Sequence, residues 1–230
     1  MLINGRVGTL SVRQQLASAG KYFNVTNPTP GTAVAYANKV AYSTTANGLL
    51  SVSNNNPSES GINIYLDTLA LTQTATAPTD ALVYRFEVFT ETGIRALSAG
   101  NLARTPVNIN PSFSDATGAV VNSFSAAAGT MPAAVGTRKI VDIIALQTGG
   151  QTVIHDTMMV AFGADGILGG SGTALTAARA SSSSTLTALA APVIITPQNS
   201  IFITSWTLTG ATNVPSYEFS LKYFELNPND

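Results

Sequence analysis

The single histidine of the chain, His155, is the first residue to consider for chemistry, because imidazole is the usual general base in nucleophilic catalysis. It lies beside Asp156 in a stretch with a strand pattern. Successive residues of a strand face opposite sides, so Asp156 cannot orient His155 directly. The chain also lacks a Gly-x-Ser-x-Gly segment that would present a serine nucleophile. We therefore expect His155 to be a structural residue on a sheet face or at an interface.

Paired carboxylates are the second candidate, because glycosidases use two of them around the scissile bond. The 12 acidic residues include Asp67, Glu87, Asp142, Asp156 and Glu218 within predicted strands. Nothing in their spacing singles out a pair. We expect most to face solvent or to pair with basic strand residues, namely Arg85, Arg138 and Lys222. The sequence therefore predicts no enzymatic activity and no catalytic residue.

The glycine-rich segment at residues 163–172 is the third candidate. It lacks the Lys-Ser/Thr of a phosphate-binding loop, and no clear helix follows it. Asp165 and nearby carbonyl groups offer oxygen ligands for Ca²⁺, but the ligand spacing of an EF-hand is missing. The chain has no cysteine, which excludes disulfides and thiolate metal sites. We interpret the segment as a flexible connection or an assembly arm, and we predict no cofactor and no metal.

Aromatic residues give a fourth possibility, a sugar-binding platform. Trp206 shares one face of its predicted strand with Phe202 and Leu208. Aromatic side chains contribute much of the buried area of protein cores, so a core position is the favoured interpretation. If the protein instead binds glycan, exposed rings such as Tyr65, Trp206 or Tyr223 would line a shallow site.

The composition is more informative about function than these four groups of candidate residues. Only 10% of the residues are charged although 45% are hydrophobic, whereas about a quarter are charged in ordinary soluble domains. The remaining surface of small and amide side chains costs little to desolvate, which suits extensive protein–protein contact. The 11 basic residues are scattered and the net charge is −1, so we predict neither nucleic acid nor a membrane as a partner. With no signal peptide or transmembrane run, the expected site of synthesis is the cytoplasm.

Alternation of apolar and polar residues predicts an all-β fold. In residues 217–225, for example, Tyr217, Phe219, Leu221 and Tyr223 share one face. The other predicted strands cover residues 22–25, 32–42, 49–54, 61–74, 81–90, 119–125, 138–147, 151–163, 193–195 and 201–206.

The predicted strand over residues 61–74 changes phase in its middle. Its apolar side chains occupy even positions up to Leu66 and odd positions from Leu69 onward. A change of phase by one residue is typical of a β-bulge, and a bend between two shorter strands is the alternative. We expect this irregularity at Asp67 or Thr68.

Two turns are predicted to join strands into hairpins. The Gly-Gly pair at 149–150 favours a tight turn between residues 138–147 and 151–163, which are apolar on both faces in places and are expected to be central strands. In residues 193–209, proline and asparagine within residues 196–200 predict the second turn.

Helical signal is confined to two short segments. Ser11 is a good N-cap for residues up to Ser18, and Gln14 completes a capping box. The alanine-rich residues 174–179 are the other segment. Long loops are predicted at residues 51–60, 98–111, 126–136 and 163–184.

About eight to ten antiparallel strands with long connections fit a jelly-roll β-sandwich. Residues 192–203 resemble the penultimate hairpin of trimeric viral-type jelly rolls, and residues 214–225 resemble the closing strand. Residues 22–32 and 62–67 are similar to segments of virion structural proteins of tailed bacteriophages, small head proteins that lie on or between the major capsid subunits.

The resemblance implies a homotrimeric decoration, or cement, protein that binds the major capsid protein on the phage head after assembly in the host cytoplasm. Such proteins have no catalytic residues. We predict an N-terminal arm over residues 1–31 and a jelly-roll domain over residues 32–230, with the arm and the long loops bridging neighbours, for example by strand addition. The alternatives are a jelly roll of the capsid shell itself, a receptor-binding or fibre-tip domain that binds host glycan, and a glycan hydrolase on a β-sandwich.

Overall fold

The computed structural model of the chain describes residues 2–3, 6–7, 10–27, 29, 34–35, 49–75, 83–94, 101–124, 138–146, 157–163, 185–190, 192–207 and 216–229. Within these residues the fold is mostly β, as the alternation predicts, with one α-helix, α1 (Val12–Ser18), and one 3-10 turn, Ser58–Ser60. The strands are β1 Leu2–Ile3, β2 Arg6–Val7, β3 Tyr22–Thr26, β4 Val34–Ala35, β5 Leu50–Asn54, β6 Asn63–Ala75, β7 Val83–Glu91, β8 Asn101–Arg104, β9 Val107–Asn108, β10 Ala119–Phe124, β11 Arg138–Leu146, β12 Thr157–Phe162, β13 Thr185–Ala190, β14 Ile194–Ile195, β15 Ser200–Thr207 and β16 Ser216–Leu226.

Two sheets form a β-sandwich. The smaller sheet has six strands in the order β11-β7-β15-β5-β10-β8. The larger has eight, in the order β13-β12-β6-β16-β3-β9, with β14 also paired to β6 and β4 to β16. The described pairings are antiparallel except that of β12 with β13, which is parallel. One cluster of buried apolar side chains draws on both sheets, so it forms the core between them.

Strand β16 lies at the centre of the larger sheet and shows how alternation builds the core. Tyr217, Phe219, Leu221 and Tyr223 are each at most 5% exposed, which confirms the predicted inward face. Phe224 points to the outer face. Its ring stacks on that of Tyr65 in β6, with centroids 5.0 Å apart. This outer contact explains the one aromatic residue on the otherwise polar face of β16.

The predicted irregularity in β6 is a β-bulge at Asp67. Consecutive residues of β16 lie opposite Thr68 and Leu66, so Asp67 has no partner in that ladder. The extra residue allows Leu66 and Leu69 to face the core together, at 3% and 0% exposure. The change of phase in the sequence therefore results from one extra residue, Asp67, within a continuous strand.

Neither predicted hairpin forms. Strand β11 pairs with β7 at the edge of the smaller sheet, whereas β12 belongs to the larger sheet, so β11 is not a central strand. Likewise β14 pairs with β6 and β15 with β5 and β7, so residues 196–199 carry the chain from one sheet to the other. Proline, asparagine and glycine interrupt a strand equally well in a hairpin and in a crossing between sheets. At residues 196–199 the sequence therefore predicts that a strand ends, but it does not predict which strand the next one pairs with.

Residues 10–26 of the N-terminal segment are packed on the sandwich, whereas β1 and β2 pair with each other in a separate two-stranded sheet. Ser11 caps α1, and Ser11 and Gln14 form the predicted capping box. The following strand, β3, pairs with β16 and β9, and its Phe23 and Val25 lie in the core. Residues 10–26 of the predicted arm thus contribute a helix and a sheet strand.

Two of the predicted loops contain strands. Residues 98–111 include β8 and β9, and residues 51–60 begin within β5. Short strands of two to four residues show too little alternation to be distinguished from loops in a sequence. The predicted helix at 174–179, the loop at 126–136 and residues 164–184 lie outside the described residues.

Candidate functional site

The catalytic candidates of the sequence divide into those that the structure describes and those outside it. His155, Asp156 and Asp165 lie outside the described residues, as do the side chains of Glu87, Asp142 and Trp206. Tyr223 is described and is fully buried, with its ring stacked on that of Phe23 at a centroid distance of 5.4 Å. Tyr223 therefore cannot line an exposed glycan site, because no part of its ring reaches the surface.

Asp67 is a buried anchor for helix α1. Its Oδ1 accepts hydrogen bonds from Nε and Nη2 of Arg13 at 2.9 and 2.7 Å, and its Oδ2 accepts one from the Tyr22 hydroxyl. Burial and this hydrogen bond raise the pKa of Tyr22 well above its ordinary value. The expectation that Asp67 faces solvent or pairs with Arg85, Arg138 or Lys222 is wrong, because the bulge turns it toward α1.

Glu225 is another buried carboxylate, at 9% exposure. The Thr117 hydroxyl and the Gly118 backbone N–H both donate to its Oε1, the latter at 3.0 Å. The Tyr223 hydroxyl lies 3.0 Å from Thr117 Oγ1, and burial raises the pKa of Tyr223. These contacts fasten the loop before β10 to the end of β16. Asp67 and Glu225 thus have structural roles that their hydrogen bonds explain.

One side of the sandwich carries an exposed apolar surface. The outermost strands there are β8 in the smaller sheet and β9 in the larger, and only residues 105–106 separate them in the chain. The exposed apolar side chains of this side are Leu102 (41%), Val107 (54%), Ile109 (41%) and Phe113 (47%). We call the surface formed by β8, β9 and residues 109–113 the open edge.

Residues 101–124, which include the open edge, have no net charge. Residues 101–124 contain two charged side chains, Arg104 and Asp115. Arg104 Nε donates to Ser123 Oγ at 2.6 Å, and burial lowers the pKa of this guanidinium. Asp115 Oδ1 accepts the backbone N–H of Asn108 at 2.6 Å. Asp115 is exposed and Arg104 is half-buried, so residues 101–124 keep one negative and one positive charge, which cancel in sum, while their other side chains are apolar or neutral.

Hydrogen bonds hold the open edge in one conformation. The Asn108 side chain is 4% exposed, and its Nδ2 donates to the carbonyl groups of Gly20 and Ser114 at 2.9 and 3.2 Å. Its Oδ1 accepts the N–H of Asn110 at 3.0 Å. A surface that is ordered before binding loses little conformational entropy when a partner docks.

The sequence reasoning missed the open edge by treating residues 98–111 as a loop. A signal is present: Val107 and Ile109 alternate with Asn108 and Asn110, which is the period of a strand. Four residues of alternation are at the lower limit for a strand prediction, and proline at position 106 precedes them.

Comparison of the chain with models of protein families, with curated proteins and with solved structures found no match. Among the described residues no helix is long and apolar enough to cross a membrane. Nor do three or more His, Cys, Asp or Glu side chains come together in that part of the chain in a way that would hold a metal ion. The open edge is the candidate site on its geometry and chemistry alone.

Proposed function

We propose that this protein is a structural component of a tailed-bacteriophage virion: a decoration, or cement, protein that binds the major capsid protein and copies of itself. In this proposal the sandwich has jelly-roll topology, the assembled form is a homotrimer, and its place is the phage head. The observation that carries the proposal is the open edge, an ordered apolar surface along the outermost strands of both sheets.

Outermost strands with exposed apolar side chains favour protein–protein contact. Their unpaired N–H and C=O groups can add a further strand, so proteins that remain monomeric usually protect such edges with charge. Here residues 101–124 carry only two charged side chains, Arg104 and Asp115, which hydrogen-bond to Ser123 and to the Asn108 backbone N–H. Several exposed apolar side chains at one edge favour an interaction site.

The composition and the resemblance indicate which class of partner the protein binds. A chain with 10% charged residues has a surface that assembles at low desolvation cost, as a shell built of many copies requires. The similarity of residues 22–32 and 62–67 to phage head proteins supports the capsid as the partner. An all-β sandwich is compatible with this class, although the same fold serves many functions.

The first test is to locate the chain in virions of the phage that encodes it. We expect quantitative mass spectrometry to find many copies per particle and gold-labelled antibody to mark the head. Light scattering of the purified chain should give the mass of a trimer. A chain that is absent from particles, or that marks only the tail, would overturn the proposal, and so would a strict monomer that fails to bind heads.

The second test addresses the open edge. Substituting Val107→Ser and Phe113→Ser together removes two exposed apolar side chains, which should weaken binding to heads by about 10- to 30-fold at roughly 1 kcal/mol each. The matched control is Ile94→Ser, which removes a side chain of similar exposure, 42%, from the turn after β7. Equal binding by the double variant and the control would show that the open edge is not the contact.

A further inference from the structure

The first two strands of the chain form a hairpin that stands apart from the sandwich. Leu2–Ile3 (β1) pairs antiparallel with Arg6–Val7 (β2), and among the described residues no further strand pairs with either. The residues between the two strands are Asn4 and Gly5, a pair typical of two-residue hairpin connections. A two-stranded hairpin is at best marginally stable in water, and a third strand is one way to stabilise it. The hairpin therefore favours a strand partner that the described sheets of its own chain do not provide.

The open edge contains a strand that can accept such a partner. Among the described strands, β8 pairs with β10 alone, so one side of its backbone can still form a ladder. β8 has four residues and no proline. The neighbouring β9 is a poorer acceptor, because it has two residues and its Asn108 N–H already donates to Asp115 Oδ1 at 2.6 Å. A strand added at β8 would extend the smaller sheet by main-chain hydrogen bonds.

Helix α1 separates the hairpin from the open edge of its own chain. Near the start of α1, Arg13 donates to Asp67 of β6. Just after α1, the carbonyl of Gly20 accepts Nδ2 of Asn108 in β9 at 2.9 Å. Strands β16 and β3 lie between β6 and β9, a distance of about 14 Å at the usual strand spacing. The hairpin is therefore attached to the end of α1 that lies farther from the open edge.

We propose that β8 accepts the N-terminal hairpin of a neighbouring copy of this chain. The inference rests on the homotrimer of the proposed function and names the contact that builds it. A ring of three copies needs a contact between two different surfaces, whereas two β8 edges paired with each other would give a two-fold dimer. The hairpin and β8 are two such surfaces on one chain, so each copy can donate to the next. Three of the four strand residues of the hairpin, Leu2, Ile3 and Val7, are apolar, which matches the apolar open edge.

Disulfide trapping tests the contact directly, because the chain has no cysteine of its own. A chain with Ile3→Cys is co-expressed with a chain that carries Asn101→Cys, Leu102→Cys or Ala103→Cys, and the purified protein is mildly oxidised. We expect a disulfide between the two chains on a non-reducing gel for at least one of the three β8 positions, since neighbouring strands lie within disulfide reach. Ile94→Cys is the matched control, because Ile94 is 42% exposed in the turn after β7, and it should give no such product.

Deletion of residues 2–7 tests whether the hairpin is required for assembly. Light scattering should show a monomer, and circular dichroism should show that the sandwich still folds. Val12→Ser is the control, because it removes a 68% exposed apolar side chain just outside the hairpin, and it should remain a trimer.

The outcomes separate this inference from the proposed function. A trimer that persists without the hairpin overturns the inference alone, as does trapping that succeeds only between two Leu102→Cys chains or at none of the β8 positions. A full chain that is monomeric overturns the homotrimer and the inference together. Binding of the deletion variant to phage heads is measured separately and reports on the capsid contact.

Discussion

Deleting Asp67 tests the β-bulge and its role in one experiment. The residue has no partner opposite it in β16, so its removal should make the β6–β16 ladder continuous. Leu66 and Leu69 would still face the core, because Thr68 would take the single outward position between them. The core pattern is therefore preserved, and the chain should fold. What is lost is the anchor of helix α1.

The expected cost follows from the contacts of Asp67. The hydrogen bond from Tyr22 to a buried carboxylate is worth about 1.5–3 kcal/mol. The pair with Arg13, whose side chain is 58% exposed, adds about 1 kcal/mol or less. Deletion should therefore lower the free energy of unfolding by about 2–4 kcal/mol. Asp67→Ala, which keeps the bulge but removes the carboxylate, should give a similar loss.

Deletion of Ala70 is the matched control, because it lies in the same strand outside the bulge. It would turn Leu71, which is fully buried, to the outer face and bring Thr72 inward. Exposing Leu71 should lower the free energy of unfolding by about 1.5–3 kcal/mol, and burying the Thr72 hydroxyl by about 1–3 kcal/mol more. The total is a large part of the stability of a domain.

Urea unfolding followed by circular dichroism gives the free energies, and amide hydrogen exchange over residues 12–18 reports on α1. We expect faster exchange in α1 after deletion of Asp67, with the strands of the sheet still protected. If deletion of Asp67 is as damaging as deletion of Ala70, the assignment of the bulge is wrong.

Three further predictions concern the turns, a buried amide and pH. Gly20→Ala should lower the free energy of unfolding, measured in urea, by more than Gly93→Ala. Both glycines have a left-handed φ, +69° and +87°, which costs about 1–2 kcal/mol for alanine. Only at position 20 would the added Cβ also overlap the Phe113 ring. Asn54→Asp should lower the unfolding free energy at pH 7 by about 3–5 kcal/mol, because a buried carboxylate would replace the amide that donates to the carbonyls of Ile62 and Ile195 at 2.9 and 2.8 Å. The loss should shrink at pH 3, where the carboxyl is protonated, and Asn55→Asp, at an exposed neighbour, should have little effect at either pH. Burial raises the folded-state pKa of Tyr22 and Tyr223 above the ordinary value near 10. Their contribution to the free energy of unfolding should therefore be complete below pH 10 and fall as the pH rises further. Urea unfolding between pH 8 and 11 would detect this loss. A stability that stays constant up to pH 11 would contradict this account.

Local features of the sequence predicted local features of the fold. The inward face of β16, the capping box at Ser11 and the irregularity at Asp67 all depend on residues within a few positions of one another, and the structure confirms them. The partners of the strands were not predictable in the same way. Alternation records that one face is buried and carries no information about which of the two sheets buries it. Hence β14 and β15 were placed in one hairpin although they lie in different sheets.

The candidate site was harder still to predict, because it is defined by what the fold leaves uncovered. In the sequence, Val107 and Phe113 cannot be distinguished from buried apolar residues. The structure shows that they are exposed, because the sheets end beside them. The hydrogen bond from Arg104 to Ser123 spans 19 residues, and that from Arg13 to Asp67, outside the open edge, spans 54. No spacing rule relates residues so far apart, so these contacts are known only from the tertiary structure.

The opposite charges of Arg104 and Asp115 also have a kinetic consequence. A partner approaching the open edge meets no net charge from residues 101–124 that would accelerate the encounter. Association there should proceed at the unsteered rate of about 10⁵–10⁶ M⁻¹s⁻¹ and change little with ionic strength. The lifetime of the complex would then be controlled by dissociation, so assemblies built through this surface should persist in concentrated salt solutions that dissolve charge-driven contacts.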